Sequence, residues 1–321
     1  MRNEMRDAPK HLRIGLEVGR TTVVPEGPFE RVVLCGMGGS ALAAVILQQY
    51  VADQIRLDVV NDYALPKGCS PYLTLVIASS YSGNTEETIA SFHQAREEGY
   101  ALVALSHGGQ IQSLAEEYNV PHFVVPESIQ PRVSIGYGMG IILGILEQLG
   151  RIPLQHEILS QIEHALTQKI DTLEALGKSI AGKVQVTVPV IYAGAQNYAL
   201  ARITKIHFNE NAKTQSFFNV FPELNHNEMV GYTNLVMKPT ILYLKSSFDH
   251  ERVHLRMKVM KELLEPKDIH FLELVLEGET WLEEVYYGLI VAYFASFYLA
   301  LANGVDPEPV AMVEDFKKLL V

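Results

Sequence analysis

Cysteine is scarce in this 321-residue chain, which contains only Cys35 and Cys69. Two cysteines cannot supply a disulfide framework or a multi-cysteine zinc site, and their scarcity is typical of a reducing compartment. An excess of positive charge is also missing, because 26 Lys and Arg stand against 37 Asp and Glu and give a net charge of −11. General binding to nucleic acid depends on neutralised phosphates, so this balance argues against it. Any anionic ligand must therefore be bound by local groups.

The chain also lacks an apolar segment near its first residues, where MRNEMRDAPKHLR is charged throughout. We therefore expect no secretory signal and a cytoplasmic protein. One uncharged run, 285–302, reaches the shortest length of a membrane span. It contains four tyrosines, a serine and a glycine, and Glu283 and Glu284 stand just before it. We expect a buried helix there, within a domain or between subunits.

Short apolar strands alternate with helical patterns along most of the chain. The first half predicts strands at 31–36, 56–60, 73–79, 101–106 and 122–125, with helices between them. Strands separated by such helices form βαβ units, in which a parallel sheet is covered on both faces. We expect the roughly 30 residues before the first strand to be mostly irregular.

The second half repeats this alternation after a break at 150–153. Its predicted strands are 189–194, 241–247 and 269–274, and the stretch 32–43 resembles 190–201 at a constant offset of 158 residues. The chain length also corresponds to about two domains. The sequence therefore predicts two doubly wound α/β domains with parallel sheets of flavodoxin-like type, over 1–152 and 153–321.

Two loops of the first half each follow a predicted strand and lead into a predicted helix. They are 35–41 (CGMGGSA) and 79–87 (SSYSGNTEE). Glycines permit close backbone approach, and helix N-termini present free N–H groups to an anion. Both loops follow the carboxyl ends of parallel strands, where open α/β sheets bind ligands.

The first loop alone is ambiguous. Gly36, Gly38 and Ala41 match the dinucleotide pattern G-x-G-x-x-A, and Asp62 follows the next strand, but a tight packing turn explains the glycines equally well. Nucleoside triphosphate hydrolysis is disfavoured because no Gly-Lys-Ser/Thr loop occurs.

The second loop favours a phosphate monoester. Ser80, Ser82 and Thr85 cluster around a glycine, and a dinucleotide has no evident need for these hydroxyls. The alternative is ordinary turn formation and helix capping, for which Thr85 before Glu86 and Glu87 is well suited. Capping accounts for one hydroxyl but not for three.

Four motifs together resemble a known family. GMGGSA (36–41) and SYSGNTEET (80–88) resemble the sugar isomerase (SIS) domain, which binds phosphosugars. NENAK (209–213) and PELNHNE (222–228) more specifically resemble the bifunctional phosphoglucose/phosphomannose isomerase family of archaea and bacteria, built from two SIS domains. The resemblance spans essentially the whole chain. It implies interconversion of glucose 6-phosphate and fructose 6-phosphate, mannose 6-phosphate as a further substrate, and no metal or other cofactor.

The resemblance also implies roles for particular residues. Aldose–ketose isomerisation needs ring opening, then proton transfer between C1 and C2 through an enediolate. By resemblance, Glu210 is the shuttling base, His226 the ring-opening group, Arg132 the enediolate stabiliser and Lys317 an aid to ring opening. The implied phosphate-binding residues are Gly38, Gly39, Ser40, Ser80, Ser82 and Thr85. The family further implies a homodimer in which His226 reaches the neighbouring active site.

Residue type alone singles out none of the four catalytic candidates. Glu210 is a glutamate near a helix end, His226 is one of 11 histidines, and Arg132 and Lys317 have ordinary surface interpretations.

Two alternative functions also stay open: a sugar-phosphate sensor without activity, and a dinucleotide-dependent dehydrogenase. Such sensors usually carry a helix-turn-helix, for which the residues before the first strand leave no room.

The chain departs from the family in two places. The segment 203–207 lacks an Arg-Trp pair and a glutamine that we associate with relatives, which bears on substrate choice. The segment 246–250 (SSFDH) falls where a second phosphate loop would lie, but it is acidic and contains no glycine. We therefore expect one phosphate site per chain.

Overall fold

A computed structural model of the protein describes residues 1–128, 130–267 and 269–320. The chain divides into two compact units. The first unit comprises residues 6–168, and the second comprises residues 1–5 together with the chain from Lys169 onward. The division falls inside a long helix, His156–Val184.

The first unit is built around a parallel sheet. Its elements in chain order, together with α1, are α1 (Arg2–Asp7), α2 (His11–Val18), β1 (Arg31–Cys35), α3 (Gly39–Tyr50), β2 (Arg56–Val60), β3 (Thr74–Ser79), α4 (Glu86–Glu97), β4 (Ala101–Ser106), α5 (Gly109–Tyr118), β5 (His122–Val124), α6 (Ile135–Gln148) and α7 (His156–Val184). The strand order is β2-β1-β3-β4-β5, and Val33 pairs with both Asp58 and Val76. This order is the flavodoxin-like one, so the predicted fold class is confirmed.

Residues 2–18, more than half of the segment before β1, are helical, so the prediction that this segment is mostly irregular is wrong. Leu12 and Leu16 of α2 are buried, and Gly15 lies so close to α6 that a Cβ would overlap the Tyr137 carbonyl. Helices this short are marginal by themselves and depend on tertiary packing. Their pattern in the sequence is correspondingly weak.

The second unit contains another parallel sheet. Its elements after α7 are β6 (Val188–Gly194), α8 (Tyr198–Glu210), β7 (Phe217–Phe221), α9 (Glu228–Gly231), β8 (Pro239–Lys245), α10 (Glu251–Leu264), β9 (His270–Val275), α11 (Trp281–Ala302) and α12 (Ala311–Leu319). The strand order is β7-β6-β8-β9. Strand β7 was not predicted, because it lies at the sheet edge with Phe217 half exposed and so lacks a continuous buried run.

The uncharged run 285–302 lies within α11, as a buried helix. Thr280 begins the helix by accepting the backbone N–H of Glu283 at 3.2 Å. Among the described helices, α11 is the one whose length and composition would suit a membrane, yet 78% of its most apolar window is buried inside the protein. The expectation of a buried core helix is confirmed.

The two sheets correspond at a different offset from the predicted 158. Val33 and Cys35 face the core cluster that includes α4, whereas Val190 and Tyr192 face the cluster that includes α10. An offset of 158 would match Val33 with Ile191, which lies outside that cluster. Because successive strand residues point to opposite faces, a shift of one residue exchanges the faces. An odd offset such as 157 or 159 keeps the two faces matched.

Candidate active site

The two predicted phosphate loops meet at the carboxyl edge of the first sheet. A cleft opens between them and the segment that precedes α6. Its lining includes Gly39, Ser40, Ser79, Tyr81, Pro131 and Ser134. Because all the strands are parallel, this edge collects the loops that follow β1, β3 and β4. The structure therefore brings the two predicted loops to the same edge, where Ser40 lines the cleft.

The loop after β1 passes very close to the segment that carries Arg132. A Cβ on Gly39 would lie 2.9 Å from the carbonyl carbon of Pro131, so only glycine fits without displacement. Next along the chain, the hydroxyl of Ser40 accepts the backbone N–H of Tyr81 at 2.9 Å. This hydrogen bond joins the two phosphate loops.

The loop after β3 presents hydroxyls at different depths. Ser82 is exposed and Thr85 half-buried, whereas Ser80 is fully buried. Gly83 makes the turn with φ of +71°, and a Cβ there would overlap the Gly108 carbonyl oxygen. The surface of the loop therefore offers the hydroxyls of Ser82 and Thr85, with Ser80 beneath them.

Thr85 occupies the N-cap position of α4 but does not cap it. Its hydroxyl lies 2.8 Å from the Ser80 hydroxyl and makes no side-chain cap bond to the helix. The idea that capping accounts for Thr85 is therefore wrong, because the buried Ser80 takes up that hydroxyl. Helix α3 likewise lacks a side-chain cap, because its N-cap residue is Gly38.

Tyr81 connects the phosphate loops to the segment before Arg132. Its hydroxyl accepts the N–H of Ser128 at 2.6 Å and donates to the carbonyl of Ser128 at 3.0 Å. Its ring stacks on His107, with the ring centres 5.5 Å apart. Sequence reasoning did not single out Tyr81, although its place between two candidate serines was a usable signal.

Arg132 is buried, with 3% of its surface exposed, and lies on the 3-10 turn Pro131–Val133. Its Nη1 donates to the side-chain oxygen of Gln130 at 2.8 Å. A buried guanidinium needs such partners because desolvation of a charge is costly. The surface interpretation of this arginine is therefore wrong.

Glu210 is the last residue of α8 and is partly exposed. The residues after it hold the helix end in place. Asn211 is buried and donates to the Ser296 hydroxyl at 2.9 Å, and Lys213 donates to the Asp306 carbonyl at 2.6 Å. The NENAK motif thus includes two residues that position the helix end, a role that sequence reasoning did not assign.

His226 is exposed and ends the 3-10 turn Glu223–His226. The residues on either side of it are anchored by side-chain hydrogen bonds. Asn225 accepts from Arg256 at 3.2 Å, and Asn227 donates to Glu223 at 2.7 Å. The segment expected to be irregular is thus an ordered turn that presents a histidine to the surface of the second unit.

Lys317 lies on α12, whose residues are all exposed, and forms an ion pair with Glu314 at 3.3 Å. Glu210, His226 and Lys317 therefore lie on three separate elements of the second unit. The phosphate loops and Arg132 belong to the first unit.

Metal-ligating side chains do not cluster in the part of the chain that the structure describes. No group of three or more His, Cys, Asp or Glu residues is placed there to hold an ion.

The two parallel α/β units and the hydroxyl-lined edge define the class as a two-domain SIS protein. A family model for the bacterial phospho-glucose isomerase C-terminal SIS domain matches residues 173–320. A solved structure of a putative phosphosugar isomerase from Clostridium difficile 630 shares the fold, with a TM-score of 0.73 at 16% identity over 96% of this chain and 94% of that one.

Two curated relatives then identify the family. The bifunctional phosphoglucose/phosphomannose isomerase of Aquifex aeolicus is 31% identical over 91% of this chain and 91% of its own. That of Caldicellulosiruptor bescii is 30% identical over 97% and 96%. The chain belongs to the bifunctional phosphoglucose/phosphomannose isomerase family.

Proposed function

We propose that this protein interconverts glucose 6-phosphate and fructose 6-phosphate, and that it also isomerises mannose 6-phosphate. The observation that carries the proposal is the sheet edge where the loop of Ser40 is hydrogen-bonded to the loop of Ser82 and Thr85, which Tyr81 links to the segment before Arg132. The names of the two relatives support the same substrates.

The phosphate group binds at the hydroxyl-lined edge in this proposal. Gly38 and Gly39 bring the start of α3 to the ligand, and Ser40, Ser82 and Thr85 donate hydrogen bonds. Ser80 acts from below, since its hydroxyl holds that of Thr85 at 2.8 Å. Helix α4 begins without a side-chain cap, so the positive end of its dipole can act on a dianion bound at this edge. These local donors suit a chain whose net charge is −11.

The remaining candidates carry out the proton transfers. His226, assisted by Lys317, moves a proton between the ring oxygen and the C1 hydroxyl and so opens the sugar ring. The carboxylate of Glu210 removes the C2 proton and returns it to C1. Arg132 stabilises the enediolate oxygen that carries negative charge between the two steps.

Mannose 6-phosphate enters the same scheme because it differs from glucose 6-phosphate only in configuration at C2. Both aldoses lose that proton to form the same enediolate. The scheme needs no redox step, and the expected absence of a cofactor stays a prediction.

The dehydrogenase alternative is disfavoured by the sheet. Dinucleotide-binding folds use the strand order 3-2-1-4-5-6, whereas the first unit has the order 2-1-3-4-5. The carboxylate of Asp62, the candidate ribose-binding group, accepts the N–H of the adjacent Tyr63 at 2.7 Å. The assay below distinguishes the isomerase from the other alternative, a sugar-phosphate sensor without activity.

We further propose a cytoplasmic homodimer in which His226 completes the neighbouring active site. Support for the cytoplasmic location comes from Cys35 and Cys69, which are both free thiols. Support for the shared active site comes from the exposure of His226 on an anchored turn.

A coupled assay with fructose 6-phosphate, without added metal or nicotinamide in the isomerase step, tests the isomerase proposal. We expect glucose 6-phosphate to form, Glu210→Gln to abolish turnover, and the exposed Glu262→Gln on α10 to retain it. Binding of fructose 6-phosphate without turnover would instead favour a sensor.

The double variant Ser82→Ala, Thr85→Ala tests the phosphate site and should raise KM for fructose 6-phosphate, with Ser113→Ala on α5 as the control. An unchanged KM would refute the phosphate assignment.

Subunit complementation tests the shared site. Neither Glu210→Gln nor His226→Ala should be active alone, whereas subunits mixed after dissociation should recover about a quarter of the activity, since half of the dimers carry one intact site. If both residues served the site of their own chain, mixing would restore nothing.

A further inference from the structure

The segment 246–250 of the second unit occupies the same place in its sheet as the serine loop 80–85 in the first. Each follows the strand that pairs with the first strand of its own sheet, β3 beside β1 and β8 beside β6. Helix α4 begins at Glu86 and α10 at Glu251, so Ser82 corresponds in position to Ser247. The serine of the phosphate loop therefore has a counterpart in the second unit.

The donors of this second loop converge on one carboxylate. The hydroxyls of Ser246 and Ser247 both donate to Glu284, and the backbone N–H of Ser247 donates to the same carboxylate at 3.0 Å. Glu284 lies in the first turn of α11 and only 1% of its surface is exposed. Hydroxyl groups and backbone N–H groups are also the donors that bind phosphate in loops between a strand and a helix.

A second carboxylate completes the inner side of the loop. Asp249 accepts the N–H of Ser246 at 3.2 Å and the side-chain amides of Gln196 and Asn197 at 3.3 and 3.4 Å. Burial raises the pKa of Asp249 above its ordinary value. A Cβ on Gly194 would overlap this carboxylate, so the glycine at the end of β6 leaves room for it.

We propose that the second unit contains an oxyanion-binding loop whose ligand is the chain's own Glu284 carboxylate. With that carboxylate in place, both serine hydroxyls and the Ser247 N–H are already engaged and do not bind substrate. Without it, the loop binds a small oxyanion such as formate, acetate or inorganic phosphate. This gives a physical reason for the expectation of one phosphate site in a chain with two similar sheets, and it stands independently of the catalytic assignments.

Chemical rescue of Glu284→Ala tests the proposal. The substitution removes the carboxylate and leaves the buried Ser246 hydroxyl, and the hydroxyl and N–H of the exposed Ser247, without their acceptor. We therefore expect the melting temperature to fall by about 5 °C or more. Formate or acetate should then raise the melting temperature of the variant until the site is saturated, by at least about 3 °C more than chloride does at equal ionic strength. The reason is that a ligand that binds only the folded state stabilises that state. The wild type should show no such difference.

Two further variants make the readout specific. Glu283→Ala is the matched control, because Glu283 is also buried but accepts the N–H of Glu279, at 3.0 Å, and not a donor of the loop. It should be destabilised without carboxylate-specific rescue. The double variant Glu284→Ala, Ser247→Ala should lose part of the rescue, since it removes the Ser247 hydroxyl and keeps the Ser246 hydroxyl and the Ser247 backbone N–H.

If Glu284→Ala does not fold, Glu284→Ser keeps one oxygen for the loop while leaving space for formate, and the same titration applies. Equal stabilisation by chloride and formate, or equal rescue of the Glu283→Ala control, would overturn the proposal. Because the readout is stability, this result is distinguishable from a failure of the isomerase assignment.

Discussion

Tyr81→Phe is the most informative single change at the candidate site, because it deletes one oxygen and leaves the aromatic ring on His107. That oxygen makes two hydrogen bonds to the backbone of Ser128, at 2.6 and 3.0 Å. The backbone N–H of Tyr81 still donates to Ser40 in the variant, so the phosphate loops stay joined. What the variant loses is the connection to the segment that carries Arg132.

The magnitude follows from the hydrogen bonds removed. Each is worth about 0.5–1.5 kcal/mol net, so the free energy of unfolding should fall by about 1–3 kcal/mol. If about 1.4 kcal/mol of that free energy is lost from the positioning of Arg132, and Arg132 acts only in the transition state, the rate falls tenfold. We therefore expect kcat for fructose 6-phosphate to fall about tenfold and KM to change less than about threefold.

The assay combines steady-state kinetics with urea unfolding at the same temperature. Tyr72→Phe is the control, because Tyr72 is 73% exposed in the same unit and should affect neither quantity. Unchanged kcat despite a loss of stability would show that Tyr81 supports the fold but does not position Arg132. A large rise in KM with kcat unchanged would mean that it serves phosphate binding.

Two other predictions concern stability. His11 is buried, and burial lowers its pKa to about 4; the charge of Asp7 opposes this shift and that of Lys10 assists it. The unfolded chain therefore binds a proton at higher pH than the folded protein does. As a result, the free energy of unfolding should fall as the pH drops from about 6.5 toward 4. Between about pH 7 and pH 4.5 the wild type should lose roughly 2.5 kcal/mol more than His11→Leu in urea unfolding, and parallel losses would refute this. Gly83→Ala should cost more than Gly99→Ala: both have positive φ, worth about 1–2 kcal/mol, but only at Gly83 does a Cβ overlap a neighbouring carbonyl. Equal unfolding free energies for these two variants would contradict the packing argument.

Much of the fold was predictable because its signals are local. The buried strands of a parallel sheet are continuous apolar runs, and the helices between them have their own period, so β1, β3 and β4 lie within a residue or two of their predicted limits. Strand β7 and helix α2 were missed for the opposite reason. One is half exposed and the other is short, and both depend on neighbours that are distant in sequence.

The candidate site shows the same division at the level of single side chains. The motifs were sufficient to select Ser40, Ser82 and Thr85 as phosphate-binding candidates. They could not show that Thr85 bonds to Ser80 and does not cap its helix, or that Arg132 is buried beside Gln130. A hydroxyl or guanidinium has several possible partners, and the choice among them is made by the segments that pack around it.

The sequence by itself determined the kinds of elements, the parallel sheets, the glycine and serine loops and the family. Those properties depend on residues that are close together in the chain. Only the tertiary structure decided which polar groups meet: Tyr81 with Ser128, 47 positions away, and Ser247 with Glu284, 37 positions away. Burial makes such pairings compulsory, because an unpartnered polar group in the interior costs more than a hydrogen bond gains.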